Sequence, residues 1–147
     1  MNIAIACDHG GFLLKSALIP YIESMGHQIK DFGCYDTNSM DYADVAFPAS
    51  EGVAKGTFDR GILICTTGIG MSVCANKVKG IRCALCCNEL TARLTREHND
   101  TNMLALGAEV VDEELAKKIV TIWLDTPFSQ IERHARRIQK ISNYECK

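Results

Sequence analysis

The stretch RGILIC at positions 60–65, running straight into TTGIGMS at 66–72, constrains this chain more than any other. Its first half is a short apolar run of large and β-branched residues bounded by Gly61 and a Thr-Gly cluster, the pattern of a strand covered on both faces. Cys65 is then the last strand residue. The second half packs Thr66, Thr67, Gly68, Ile69 and Gly70 into a turn before the helix-forming run MSVCANK at 71–77. Loop amides and a helix N-terminus therefore converge on one small volume. That volume suits an anion. A negative charge on Cys65 at its edge would be favoured by the positive end of the helix, which makes the thiol a candidate base or nucleophile. Taken alone, the same stretch is equally a tight connection beside an inert buried cysteine. A dinucleotide fingerprint from Gly68 and Gly70 would need glycine where Val73 stands, and no Gly-Lys-Ser/Thr triplet marks an NTP loop.

Around this centre the chain alternates strand and helix. Strands are predicted over 2–6, 28–32, 60–65, 81–87 and 103–106. Helices are predicted over 12–25 with Pro20 bending it, 46–55 with Pro48 near its first turn, 89–97, 112–124, and 131–144. The segment 33–44, which contains Tyr42 within DYAD at 41–44, reads as a long polar loop. Alternation of this kind implies βαβ units: a three-layer, doubly wound, five-stranded parallel sheet of flavodoxin- or Rossmann-like type. At 147 residues it is the size of one domain, 1–147. The last helix has no strand of its own to cover, so its basic side is free to reach a site or a partner subunit.

A net charge of −2 and a pI near 6.1 argue against global attraction to nucleic acid or to an anionic membrane. No apolar run approaches the roughly 20 residues of a membrane span, and no secretory leader is visible, so a cytoplasmic location is the default expectation. The eight cysteines fall mostly in apolar runs, where they act as small hydrophobes. Cys83 and Cys86 form a Cys-x-x-Cys, but inside a strand-like RCALCC and without a second pair, which disfavours zinc or redox chemistry.

In open α/β sheets ligands bind beyond the carboxyl ends of the strands. That edge collects Asp8, His9, Cys65 to Gly70, and Asn88. An imidazole beside a carboxylate can hold a phosphate or move a proton; the plain alternative is that Asp8 caps a turn. His98, in the polar run HNDTN, is a candidate acid or base, or else part of a helix C-cap. Arg133 and Arg137 share a helical face one turn apart, a spacing that can grip a phosphate.

CDHGG at 7–11, CTTGIG at 65–70, ANK at 75–77 with GIR at 80–82, REHNDTN at 96–102 and RHARR at 133–137 resemble, in order and spacing, the type B ribose-5-phosphate isomerases. The resemblance covers about residues 2–142. It implies an intramolecular oxidoreductase of the non-oxidative pentose phosphate pathway, interconverting D-ribose 5-phosphate and D-ribulose 5-phosphate through a cis-enediolate without metal or cofactor. Cys65 would be the base, with Thr67 and the amides of Gly68 to Gly70 holding the enediolate oxygen. His98 would open the ring with help from Asp8. Asn99 and Tyr42 would meet sugar hydroxyls, Thr66, Ile69 and Ser72 would complete the substrate contacts, and His9, Arg133 and Arg137 would hold the phosphate. A homodimer or dimer of dimers with shared sites is implied, and the C-terminal helix would serve dimerisation. Relatives acting on allose or galactose 6-phosphate are the alternative, and a sugar-phosphate-binding regulatory module is the non-enzymatic one. Three positions depart from the family: Glu109 stands where an arginine is frequent, Thr66 where glycine is usual, and Pro48 is unusual for its helix. A signalling receiver would need an acidic pair, a phosphoacceptor aspartate and a lysine where this chain offers Asp8, Cys65 and Gly107.

Overall fold

Five strands pair in one all-parallel sheet in the order β2-β1-β3-β5-β4, in a computed structural model that describes residues 1–146. They are β1 (Asn2–Cys7), β2 (Gln28–Asp31), β3 (Arg60–Cys65), β4 (Cys83–Leu85) and β5 (Met103–Gly107). From Ile3, Gly61 and Met103 onward, every residue of β1, β3 and β5 is buried, because helices cover the sheet on both faces. On one side lie α1 (Phe12–Ser24), α4 (Glu89–Asn99) and α5 (Glu113–Asp125); on the other lie α2 (Tyr42–Ala54) and α3 (Ile69–Ala75). The last helix, α6 (Glu132–Glu145), buries one side chain, His134.

The chain leaves β1 toward one edge of the sheet and leaves β3 toward the other, so the switch in winding falls between these neighbouring strands. Crevices form at such points. The loops after β1 and β3 hang over this one.

Three local expectations need correction. Helix α2 begins at Tyr42, four residues earlier than the periodicity indicated, because the Tyr42 ring packs on Gly70 while Val45, Ala46 and Ala49 bury against the sheet. Pro48 consequently sits in the helix interior and not in its first turn. Strand β4 is only three residues long: at its start the Arg82 amide donates to Asn102 Oδ1 (2.8 Å) and the Cys83 amide to Asn76 Oδ1 (2.9 Å), so side chains meet these two amides. Pro20 does lie inside α1, on its exposed side, where the Ser16 carbonyl it leaves unpaired faces solvent.

The core is tied at polar points as well. Buried Lys15 donates to both oxygens of Asp31 (2.6 and 2.7 Å) and to the Cys34 carbonyl (2.6 Å), fixing α1 to β2 and to the chain that follows it. Trp123, fully buried, donates to Thr101 Oγ1 at 2.9 Å. Arg60 Nη1 donates to the carbonyls of Trp123 and Leu124 (2.6 and 2.9 Å) at the end of α5, and burial lowers its guanidinium to about 10.

Candidate active site

Cys65 ends β3 with 5% of its surface exposed, and its Sγ accepts the Gly68 amide at 3.0 Å. That contact exists because Gly68 adopts φ +78°, a left-handed turn that suits glycine and folds the loop back over the strand end. The Thr67 hydroxyl accepts the Ile69 amide at 3.3 Å, and Ser72 Oγ donates to the Ile69 carbonyl at 2.8 Å. The loop is clamped from beneath: the Ala108 amide donates to Cys65 O (2.8 Å) and the Glu109 amide to Thr66 O (3.0 Å). Gly107 lies so close to the Thr67 backbone that an added Cβ would stand 2.6 Å from its carbonyl carbon.

Asp8 and His9 arrive at the same edge from β1. Asp8 is buried and accepts the Gly11 amide at 3.1 Å, so it caps a 3₁₀ turn over His9–Gly11. The Met40 amide donates to His9 Nδ1 at 3.3 Å. Gly10 lies against the Thr66 hydroxyl, joining the two loops. Tyr42 covers Gly70, and Asn88 is the N-cap of α4, accepting the Thr91 amide at 2.8 Å.

The remaining candidates lie elsewhere. His98 and Asn99 end α4, and three residues on, Asn102 O accepts the Gly61 amide at 3.0 Å. This is the opposite end of β3 from Cys65, about 13 Å away at the usual rise along a strand. His98 stacks beside His134, ring centres 4.3 Å apart and tilted 42°. Arg133 and Arg137 rise from the same stretch of α6, exposed. Within one chain the expected residues thus form two half-sites: Asp8, His9, Tyr42 and Thr66 to Ser72 with Cys65 on one edge, and His98, Asn99, Arg133 and Arg137 on the other.

Residues 3–141 match the sequence profile of the Ribose/Galactose Isomerase family. The chain belongs to that family. Ribose-5-phosphate isomerase B of Escherichia coli is 43% identical over 144 residues, spanning 98% of this chain and 96% of its own. D-erythrulose-4-phosphate isomerase of Pectobacterium atrosepticum is 39% identical over 147 residues, spanning 99% and 95%. The solved structure of Clostridium thermocellum ribose-5-phosphate isomerase B matches with a TM-score of 0.97 and 46% identity, over 99% of this chain and 98% of that one. The α/β architecture anticipated for an isomerase of this family is the one observed.

One residue of the second half-site escaped the sequence-based selection. His134, 3% exposed, holds Ser129 Oγ at 2.8 Å through Nδ1 and accepts Arg133 Nε at 3.2 Å through Nε2. It positions Arg133 and, through ring contact, His98. Burial, with His98, Arg133 and Arg137 nearby, lowers its pKa below the ordinary imidazole value, so it stays neutral and can accept. Its signal in the sequence was its place inside RHARR, between Arg133 and Arg137. Among the described residues, no group of three or more His, Cys, Asp or Glu side chains stands ready to hold a metal, and no helix is long and apolar enough to cross a membrane.

Proposed function

We propose that this isomerase interconverts D-ribose 5-phosphate and D-ribulose 5-phosphate, in sites each completed by two copies of the chain. The observation that carries this reading is the Cys65 sulfur set under the Gly68 amide at the β1/β3 switch point, in a chain whose relatives include ribose-5-phosphate isomerase B. Cys65, as thiolate, removes the proton from C2 of the open-chain aldose and returns it to C1. The intervening enediolate places negative charge on oxygen. The Gly68 amide is already committed to the sulfur, which leaves the Thr67 hydroxyl proton and the Gly70 amide, in the first turn of α3, for that oxygen.

His98 of a second copy donates a proton to the ring oxygen to open the furanose, with Asp8 assisting. Asn99 and Tyr42 meet the hydroxyls, and Thr66, Ile69 and Ser72 line the loop side. His9 from one chain and Arg133 and Arg137 from the other hold the phosphate. The separation of the two half-sites supports a homodimer, or a dimer of dimers, since roughly 13 Å of strand lies between Cys65 and the sheet edge at which α4 ends, too far for one sugar to bridge to both proposed catalytic groups. The cytoplasm, where sugar phosphates are made and consumed, is the proposed location.

The Pectobacterium relative, named for a four-carbon substrate, is the observation that favours a second reading, a shorter sugar phosphate. Comparing kcat/KM for ribose 5-phosphate, erythrulose 4-phosphate, allose 6-phosphate and galactose 6-phosphate decides between them. The ribose substrate should lead by about tenfold or more, the usual worth of a well-filled hydroxyl position. A larger value for any other sugar overturns the assignment.

A further inference from the structure

The segments GIR at 80–82 and REHNDTN at 96–102 lie apart in sequence and lock together in the fold. Arg82 Nε donates to the carbonyls of Asn99 (2.9 Å) and Asp100 (3.1 Å), and Nη2 donates to Asp100 O (2.7 Å) and Asp100 Oδ2 (3.2 Å). The Arg82 backbone is pinned as well. Its carbonyl accepts the Asn102 and Met103 amides (3.1 and 3.2 Å), and Asn102 Nδ2 donates to Gly80 O at 2.9 Å. Asn76, from ANK at 75–77, accepts the Cys83 amide and donates to the Cys83 carbonyl (both 2.9 Å), which holds the next residue. Arg82 therefore reaches the end of α4 from a base tied to both β5 and α3.

What Arg82 grips needs holding. Helix α4 runs into Asp100 at φ +45°, a left-handed conformation that strains a residue carrying a side chain. The last carbonyls of a helix also lack partners along the helix. Two guanidiniums meet both needs. Arg96, 6% exposed, donates to Asp100 Oδ1 (2.8 Å) and to the carbonyls of Thr101 (2.6 Å) and Thr126 (3.2 Å), which fastens α4 to the end of α5. Arg82 takes the other carboxylate oxygen, and its fork is the one that reaches Asn99. A lysine in its place would keep the charge but has no planar fork with which to span these acceptors.

We propose that Arg82 is a positioning residue for ring opening: through the backbone of Asn99 and Asp100 it fixes the last turn of α4, so that His98 and Asn99 meet the sugar in one geometry. The inference rests on the reading of His98 as the ring-opening acid. In that step the C1–O bond of the furanose breaks, the ring oxygen gains the proton of His98, and the C1 hydroxyl gives its proton to the assisting Asp8, so no net proton is consumed. Proton transfer to a particular oxygen is sensitive to where the donor stands. A guanidinium that merely capped the helix would contribute to stability and leave the relative rates of the chemical steps alone.

Two rates measured on the intact protein separate these roles. Ribulose 5-phosphate has no furanose, because the oxygen that would close one carries the phosphate. Exchange of its C1 hydrogen with labelled water thus needs the thiol half of the chemistry and no ring opening, whereas turnover of ribose 5-phosphate needs both. At saturating substrate, Arg82→Ala should lower ribose 5-phosphate turnover about tenfold or more relative to ribulose 5-phosphate exchange, as a sub-ångström misplacement of a reacting group would. Arg82→Lys should lie between the variant and the wild type, and it carries the comparison should Arg82→Ala fail to fold. Both rates falling by the same factor in the folded variant overturns the proposal, since the role is then structural. So does a ratio equal to that of the wild type. His98→Asn is the control on the underlying reading: a wild-type ratio there removes His98 from ring opening and the inference with it. A lowered ratio in His98→Asn alone removes only the role of Arg82.

Discussion

The Gly68 amide points at Cys65 Sγ across 3.0 Å, so the sulfur at the end of β3 is met by a donor. In the proposed mechanism this geometry would stabilise charge on sulfur during proton transfer. Replacing Cys65 with Ala would remove the proposed base and should lower kcat by about 10²–10⁴-fold, the usual worth of a positioned general base, with the fold and sugar-phosphate binding retained. Cys65→Ser should fall in the same range, because a hydroxyl of similar size is far harder to deprotonate. Steady-state rates together with exchange of substrate hydrogen into labelled water check both. Undiminished exchange in Cys65→Ala would remove Cys65 from the mechanism.

If each site is completed by two copies, as proposed, inactive chains are complementary. In a heterodimer of Cys65→Ala and His98→Asn chains, one site carries both defects and the other carries neither. Mixing equal amounts under conditions that exchange subunits should therefore restore about one quarter of wild-type activity, since about half the dimers are mixed and each has one intact site. Mixtures as inactive as their components would show that Cys65 and His98 do not serve one site from two chains.

His134 gives the second half-site a pH dependence. Its pKa is lowered from 6.5 on folding, so below that value the unfolded or undocked chain binds the proton that the docked α6 resists. Stability of the α6 docking is thus unaffected well above pH 6.5 and falls as pH drops through 6.5 toward the lowered folded value. Hydrogen exchange of α6 amides should rise on acidification across that range, and His134→Gln should flatten the rise. A profile that is unchanged in the variant assigns the effect elsewhere.

Gly107 has no room for a side chain. A Cβ there would sit 2.6 Å from the carbonyl carbon of Thr67, on backbone that cannot rotate aside, so Gly107→Ala must displace the loop that carries Thr67 and Gly68. A shift of the order of an ångström at a reacting centre costs about 10²-fold in rate. The variant should lose kcat by that order while its KM changes little, which rate measurements separate.

The eight thiols should differ in reactivity by position. Burial pushes Cys7 and Cys83 up to about 12 and Cys86 to about 11, whereas Cys87 and Cys146 are exposed. Brief treatment with iodoacetamide near neutral pH should label Cys87 and Cys146 first and leave Cys7, Cys83 and Cys86 unlabelled until the protein is denatured. Peptide mass spectrometry reads the order directly.

The sheet was legible because its three central strands are buried on both faces and so read as unbroken apolar runs; Asn2, Arg60 and Met103 open strands where expected. The catalytic loop was legible because Gly68 and Gly70 are required by a positive φ and by the Tyr42 ring respectively. The start of α2 was not, since Asp41 and Tyr42 end a polar segment and what makes them helical is the contact with Gly70, a residue 28 positions away in sequence. β4 was overread because alternation in RCALCC says nothing of the Asn76 and Asn102 side chains that take its outer hydrogen bonds. The separation of the candidate residues into two groups follows from α4 returning to the amino-terminal edge of the sheet, a matter of connection and not of motif. His134 was passed over because a histidine between two arginines looks like one more solvated cation, when it is the one side chain of α6 that the protein encloses.

Helix α6 is anchored by a single enclosed imidazole at its start and by the Glu145–Gly80 contact at its end, whereas Cys65 hangs from a strand buried from Gly61 onward. The two groups of candidate residues therefore rest on parts of very different opening free energy: mild denaturant should free the arginines from place while the thiol loop is still set. Loss of substrate grip would precede melting, and an enzyme of this build would tire at its hands before its spine gave way.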